Sequence, residues 1–114
     1  MMTAKTSGVK LDQGKIRPNL ILGDFSRALR EVCRVGSFGA EKYVPHGWVS
    51  VPNGVERYTD AMLRHWMDEH IEELDGESQL LHAAHCAWNA LARLDLVLRE
   101  KEKLPDQRLG DRGD

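Results

Sequence analysis

From Gln79 to Ala92 the chain carries no Asp, Glu, Lys or Arg, although such residues make up 30% of the whole. Across this stretch and beyond it, Leu80, Ala84, Ala87, Leu91, Leu94 and Leu98 form one stripe at helical spacing. The pattern predicts a long helix that starts near Ser78, with Asp75, Glu77 or Ser78 as cap, and runs to about Lys103, before Pro105. A helix without a charged face is buried on several sides, so it must be packed between other helices.

Two further helical patterns precede it. Phe25, Ala28, Leu29, Val32 and Val35 recur at helical spacing after Asp24, a residue suited to an N-cap. Gly36 and Gly39 are expected to interrupt this first helix, with one more turn over Ala40 to Val44. Pro45 to Gly54 holds two prolines and two glycines and reads as a loop. The second helix is expected from about Val55 to Leu74, with Val55, Tyr58, Met62, Leu63 and Trp66 on its apolar side, ended by Asp75-Gly76. There is no strand alternation and no internal repeat. The expected fold is therefore all-α, a helical bundle of three to four helices. A chain of 114 residues is near the small end for a self-sufficient core. Homo-oligomerisation to a dimer or tetramer, with the first and third helices in the interface, is expected to complete the bundle. Residues 1–104 would form a single domain whose first twenty residues are a flexible arm, and residues 105–114 a solvated tail.

Charge and cysteine usage narrow the class. The net charge of −2, with both signs mixed, gives no broad electrostatic grip on nucleic acid. Cys33 and Cys86 are too few for a secreted disulfide framework and lie in apolar helical patterns, where a thiol packs as a small hydrophobe. Met1 to Lys15 lacks the apolar core of a signal peptide, and no stretch approaches 18 apolar residues. A cytoplasmic protein without a membrane partner is expected.

Several polar groups then need an explanation. His82, His85 and Asn89 fall on one line of the third helix, nearly opposite Leu80 and Leu91. Such histidines can be satisfied core or interface residues. Three polar side chains buried together need partners, which a metal, a phosphate or opposing carboxylates would supply. His65, Glu69 and Glu72 stand at i, i+4 and i+7 on the second helix, and Glu69-x-x-Glu72 can chelate a cation. Asp68, Glu69, Glu72 and Glu73 fit a solvated acidic face equally well. Asp75, at the turn between the two helices, is either a further ligand or a cap. Between Gly8 and Pro18, three cations and two glycines make either a mobile basic arm or a wrap for polyphosphate; the ending of a P-loop is absent.

Taken in order, these residues resemble a known family. Gly8-Val9-Lys10-x-Asp12-x-Gly14-Lys15-x-Arg17 is followed by Phe38-Gly39-Ala40-x-Lys42-Tyr43 and by Trp48. Arg64-His65, Asp75-x-Glu77-Ser78 and His82-x-x-His85-x-x-x-Asn89 complete the set. The combination resembles the phage dATP/dGTP diphosphohydrolases of the MazZ type, distant relatives of the all-α MazG-like pyrophosphohydrolases. The resemblance implies a helical bundle and divalent-metal-dependent hydrolysis of a purine deoxynucleoside triphosphate to monophosphate and pyrophosphate. It also implies a role in supplying dGMP for 2-aminoadenine nucleotide synthesis and in depleting dATP.

Two departures stand out. His82-x-x-His85 occupies the place where MazG-like enzymes carry a second carboxylate pair, and imidazole ligands favour Mn²⁺, Co²⁺ or Zn²⁺ over Mg²⁺. Gly47-Trp48 stands where family members tend to have Asn-Trp. On this reading His65, Glu69, Glu72, Asp75, His82 and His85 are the candidate ligands, for Mg²⁺ in the cell or for Mn²⁺ or Co²⁺. Glu69, Glu72, His82 and His85 are the candidate catalytic groups. Lys10, Lys15, Arg17, Lys42 and Arg64 are the cations assigned to the triphosphate, Tyr43 and Trp48 are assigned to the base, and Asp12 and Asn89 to the substrate. The alternatives are a His/Asp metal phosphohydrolase releasing phosphate or triphosphate, and a helical interaction protein whose His/Asn face is a dimer seam.

Overall fold

The computed structural model describes Gly8 and residues 11–102. Lys10 and the expected tail, residues 105–114, lie outside the described residues. The fold is all-α: α1 spans Pro18–Gly23, α2 Ser26–Lys42, α3 Gly54–Asp68 and α4 His82–Glu102, with one 3₁₀ turn over Gly47–Ser50. Among the described residues there is no strand, only an isolated antiparallel bridge between Leu74 and Leu81. α4 packs most extensively on α3 and more lightly on α2. No described helix is long and apolar enough to cross a membrane.

The element boundaries differ from the sequence expectation in four places. α1 is a short helix that begins with Pro18 in its first turn, where a missing N–H costs nothing. α2 continues through Gly36 and Gly39 to Lys42 instead of stopping at Val35. A Cβ at Gly36 would stand 3.2 Å from Nε1 of Trp88, so this glycine is a place where α2 and α4 approach closely. α3 ends at Asp68, not Leu74. Asp68, Glu69, Glu72 and Glu73 would crowd like charges at the negative end of the helix dipole, which opposes further extension. The chain turns instead: Ile71 and Glu72 both donate their N–H to the Asp68 carbonyl, at 2.9 Å.

α4 begins at His82, about four residues later than expected. Residues 73–82 form a closed loop in which Asp75 N–H donates to Leu80 O (2.8 Å), Gln79 N–H to Asp75 O (2.8 Å) and His82 N–H to Glu73 O (3.0 Å). Gln79 has φ +62°, a left-handed conformation that a right-handed helix cannot include. Leu80 therefore precedes α4.

The face of α4 turned inward is the polar one. His82, His85 and Asn89 are buried together with Ala84, Ala92 and Val35 of α2. The leucines face outward: Leu91, Leu94 and Leu98 are 49%, 52% and 42% exposed. The chain therefore buries two of α4's imidazoles and leaves open the C-terminal part of its apolar stripe, Leu91, Leu94 and Leu98.

Candidate functional site

The site is built where the last turn of α3, the first two turns of α4 and the 73–82 loop meet. α3 supplies His65; α4 supplies His82, His85 and Asn89; the loop supplies Asp75 and Ser78. Nδ1 of His65 stands 2.9 Å from Nδ1 of His82. The His65 ring stacks on that of His85 with centroids 4.4 Å apart and planes 12° from parallel. The Asp75 carboxylate accepts N–H bonds from Ser78 (2.8 Å) and Glu77 (3.1 Å). Ser78 Oγ accepts the N–H of Leu80 at 3.1 Å and lies 2.7 Å from Nε2 of His85. Asn89 donates from Nδ2 to the His85 carbonyl at 2.9 Å, which leaves a buried amide tied to the backbone of the same helix.

Electrostatics follow from this packing. Burial, and then the neighbouring His85, push the His65 pKa below the ordinary imidazole value. For His85, burial outweighs the upward pull of Asp75 and again lowers the pKa. Burial alone would raise the Asp75 carboxyl, but its hydrogen bonds from Ser78 dominate and hold it below the usual carboxylate range. Neutral imidazoles beside an ionised carboxylate are the protonation states that metal ligation requires.

The ligand atoms of His65, Asp75 and His82 all lie within 4.8 Å of one another. Two ligand atoms each about 2.1 Å from an ion and set at a right angle stand about 3 Å apart. The two Nδ1 atoms meet that spacing. Two imidazoles and one carboxylate suit a first-row transition ion better than Mg²⁺, which prefers an all-oxygen shell.

His65, His85 and Asn89 also border a cleft of about 690 Å³, a volume that fits a nucleotide-sized ligand. Phe38, Lys42 and Tyr43 line it from α2 and the residue after it, Trp48 from the 3₁₀ turn, Arg57 and Tyr58 from α3, and Trp88 from α4. Its aromatic wall is braced. Tyr58 donates its hydroxyl to the Trp48 carbonyl at 2.8 Å, and Trp88 meets Trp48 and Tyr58 edge-on at 6.3 and 5.7 Å. Arg99 covers Trp48 with its guanidinium 5.4 Å from the ring centre. Lys42 pairs with Glu77 of the loop and lies 5.2 Å from the centre of the Tyr43 ring.

The structure thus gathers His65, Asp75, His82, His85 and Asn89 into one cluster, and Lys42, Tyr43 and Trp48 around the adjoining cleft. Glu69 and Glu72 are exposed, lie beyond the end of α3, and are not in the group of converging ligand atoms. Arg64 is exposed on α3, and Asp12, Lys15 and Arg17 are exposed before α1; none of the four lines the cleft. Sequence reasoning missed Ser78 as a partner of His85, because only the folded loop brings it there. It also missed Arg57, Tyr58 and Trp88. Trp88 had a signal, standing one turn after His85 in the charge-free stretch.

Comparison with known proteins identifies a family. The family described as "dATP/dGTP diphosphohydrolase, N-terminal" matches residues 5–107. A "dATP/dGTP diphosphohydrolase" of Salmonella phage PMBT28 is 39% identical over 82 residues, which are 71% of this chain and 27% of that protein. The chain thus spans about a quarter of the length of that relative. No solved structure matches. With residues 5–107 of the 114 matched, this protein belongs to the dATP/dGTP diphosphohydrolase N-terminal family.

Proposed function

We propose that this chain hydrolyses dATP and dGTP to the monophosphate and pyrophosphate with the help of a divalent ion. The observation that carries the reading is the junction of a His65/Asp75/His82 ligand cluster with an aromatic cleft of nucleotide size. The phage relative's name supplies the substrate class. Tyr43, Trp48 and Trp88 offer the purine flat faces and edges, and Lys42 offers the phosphates a point charge once it leaves Glu77. Asn89 and Arg57 border the same space and can fix the nucleotide by hydrogen bonds. His65, Asp75 and His82 would hold the ion, Mn²⁺ or Co²⁺ in preference to Mg²⁺. A bound divalent ion supplies charge neutralisation for the phosphates and lowers the pKa of water. Purine selectivity of this kind, in the cytoplasm, supplies dGMP to a pathway making 2-aminoadenine nucleotides and depletes dATP. The outward leucines of α4 support a homo-oligomer as the working form.

The test is a panel of deoxynucleoside triphosphates with Mg²⁺, Mn²⁺ and Co²⁺, products resolved by chromatography. Turnover of the two purines to monophosphate and pyrophosphate, greatest with Mn²⁺ or Co²⁺, is expected. A second reading, a His/Asp phosphohydrolase releasing triphosphate, is favoured by the absence of Glu69 and Glu72 from the ligand cluster. Deoxynucleoside and triphosphate as products would establish it, and no turnover with any ion would overturn both.

A further inference from the structure

Asn89 is only 6% exposed, and its side chain makes a single hydrogen bond among the described residues. Nδ2 donates to the His85 carbonyl at 2.9 Å, one turn back on α4. That bond decides which way the amide points, because a carbonyl oxygen can take a hydrogen only from the nitrogen end. Oδ1 is the end left over, and no donor of the described residues meets it. No described side-chain oxygen or nitrogen is both fully enclosed and unpaired, as the cost of stranding such a group requires. Oδ1 must then open onto the space that Asn89 lines, which is the cleft. The position of that acceptor narrows what it can receive. Asn89 stands seven residues beyond His82, or about 10 Å along the helix axis, well past the His65/Asp75/His82 group. Its neighbour Trp88 belongs to the aromatic wall, edge-on to Trp48 and Tyr58 at 6.3 and 5.7 Å, and all three rings line the same cleft. A base stacked on that wall brings its own edge to Oδ1. A phosphate gains nothing there, since its oxygens are acceptors too.

We propose that Asn89 is a specificity-determining residue whose Oδ1 accepts a hydrogen bond from the exocyclic amine of the purine base. The inference rests on the nucleotide reading above. Adenine and guanine carry their amines at different ring positions, yet an amine is the one strong donor that the two bases have in common. Stacking is tolerant of the base stacked, so the ring can shift within its plane until either amine reaches one fixed oxygen. The His85 carbonyl holds the nitrogen end of the amide, so the group cannot turn to offer a donor instead. A base without an amine therefore covers Oδ1 and leaves it unpaired, a loss that a preset polar group turns into discrimination.

Two pairs of nucleotides differ by that amine alone: dGTP and dITP, and dATP and the triphosphate of purine deoxyriboside. With the full chain and Mn²⁺, kcat/KM is expected to be roughly 10- to 100-fold higher for the amine-bearing member of each pair. Asn89→Ala is expected to bring both ratios close to one, chiefly by slowing dGTP and dATP. Asn89→Leu, of similar size but without the acceptor, makes the same test should Asn89→Ala fail to fold. Equal kcat/KM within each pair for the wild-type protein overturns the proposal, as do ratios that persist in either folded variant. If the wild-type protein turns over no nucleotide, the same four compounds are titrated against its tryptophan fluorescence. Binding that is roughly 10- to 100-fold tighter for the amine-bearing members then leaves the recognition standing while the hydrolase reading fails. Equal binding within each pair, or none, overturns the proposal.

Discussion

At the scale of single residues, packing favours the neutral form of two of the site's imidazoles, His65 and His85. That has a consequence for stability. His65 and His85 both titrate lower in the folded chain than the ordinary value of about 6.5 that the unfolded chain retains. Between those values the unfolded chain binds protons that the folded chain refuses, so stability must fall as the pH falls. In the presence of a chelator, the melting temperature is expected to be level above about pH 6.5 and to drop as the pH is lowered from there through the depressed folded-state values. His85→Gln should flatten part of that slope. A melting temperature that rose on acidification between pH 7 and 5 would contradict the assignment. Asp75 acts in a separate, lower window, where stability present above the ordinary carboxylate pKa is lost as its own depressed value is passed. Much of this site could be read from spacing, because His82, His85 and Asn89 share a helix face whatever that helix packs against. Ser78 could not, since its position beside His85 depends on the left-handed turn at Gln79 and the closed loop around it.

At the scale of elements, the sequence pattern placed the three main helices but misjudged how they end. The misjudged ends have local causes. Glycine in α2 reads as an interruption from propensity alone, yet Gly36 lies against Trp88 and Gly39 has nothing within 4 Å of where its Cβ would be. The two positions should therefore respond in opposite directions. At Gly36 a larger side chain meets an indole already braced by Trp48 and Tyr58, and Gly36→Val is expected to cost about 1–3 kcal/mol by overpacking. Gly39→Ala adds a methyl in open space within a helix and is expected to add up to about 1 kcal/mol. Denaturant melts of the two variants check both signs; equal effects would mean that α2 does not approach α4 as closely as the structure has it. Glu69 and Glu72 teach the same lesson in reverse. Their helical spacing is real in the sequence, but the run of like charges ends α3 before it can express that spacing.

At the scale of the whole molecule, α4 turns its histidines and Asn89 inward beside small alanines and leaves several of its leucines outside. Burying His82, His85 and Asn89 leaves Leu91, Leu94 and Leu98 exposed, and Leu63, Trp66 and Met67 of α3 are 46%, 54% and 54% exposed. Between the two helices runs an apolar groove of about 540 Å³, lined by residues including Met62, Trp66, Ala83 and Cys86. Exposed apolar surface on that scale marks an interface. A second copy of the chain can cover it, since a two-fold axis sets the same patch against itself. The leucine face of α4 was legible in the sequence; that it would be left open was not, because the spacing alone does not say which side of the helix the core takes. Light scattering at micromolar concentration is expected to return at least twice the 12.9 kDa of one chain. Leu91→Glu with Leu94→Glu should return the single-chain mass, because like charges facing each other across the axis replace buried methyl groups. Those two side chains do not line the cleft, so the variant also asks whether turnover needs the assembly. A wild-type mass of one chain would show that the face stays uncovered in this chain and would remove the homo-oligomer from the account of its function.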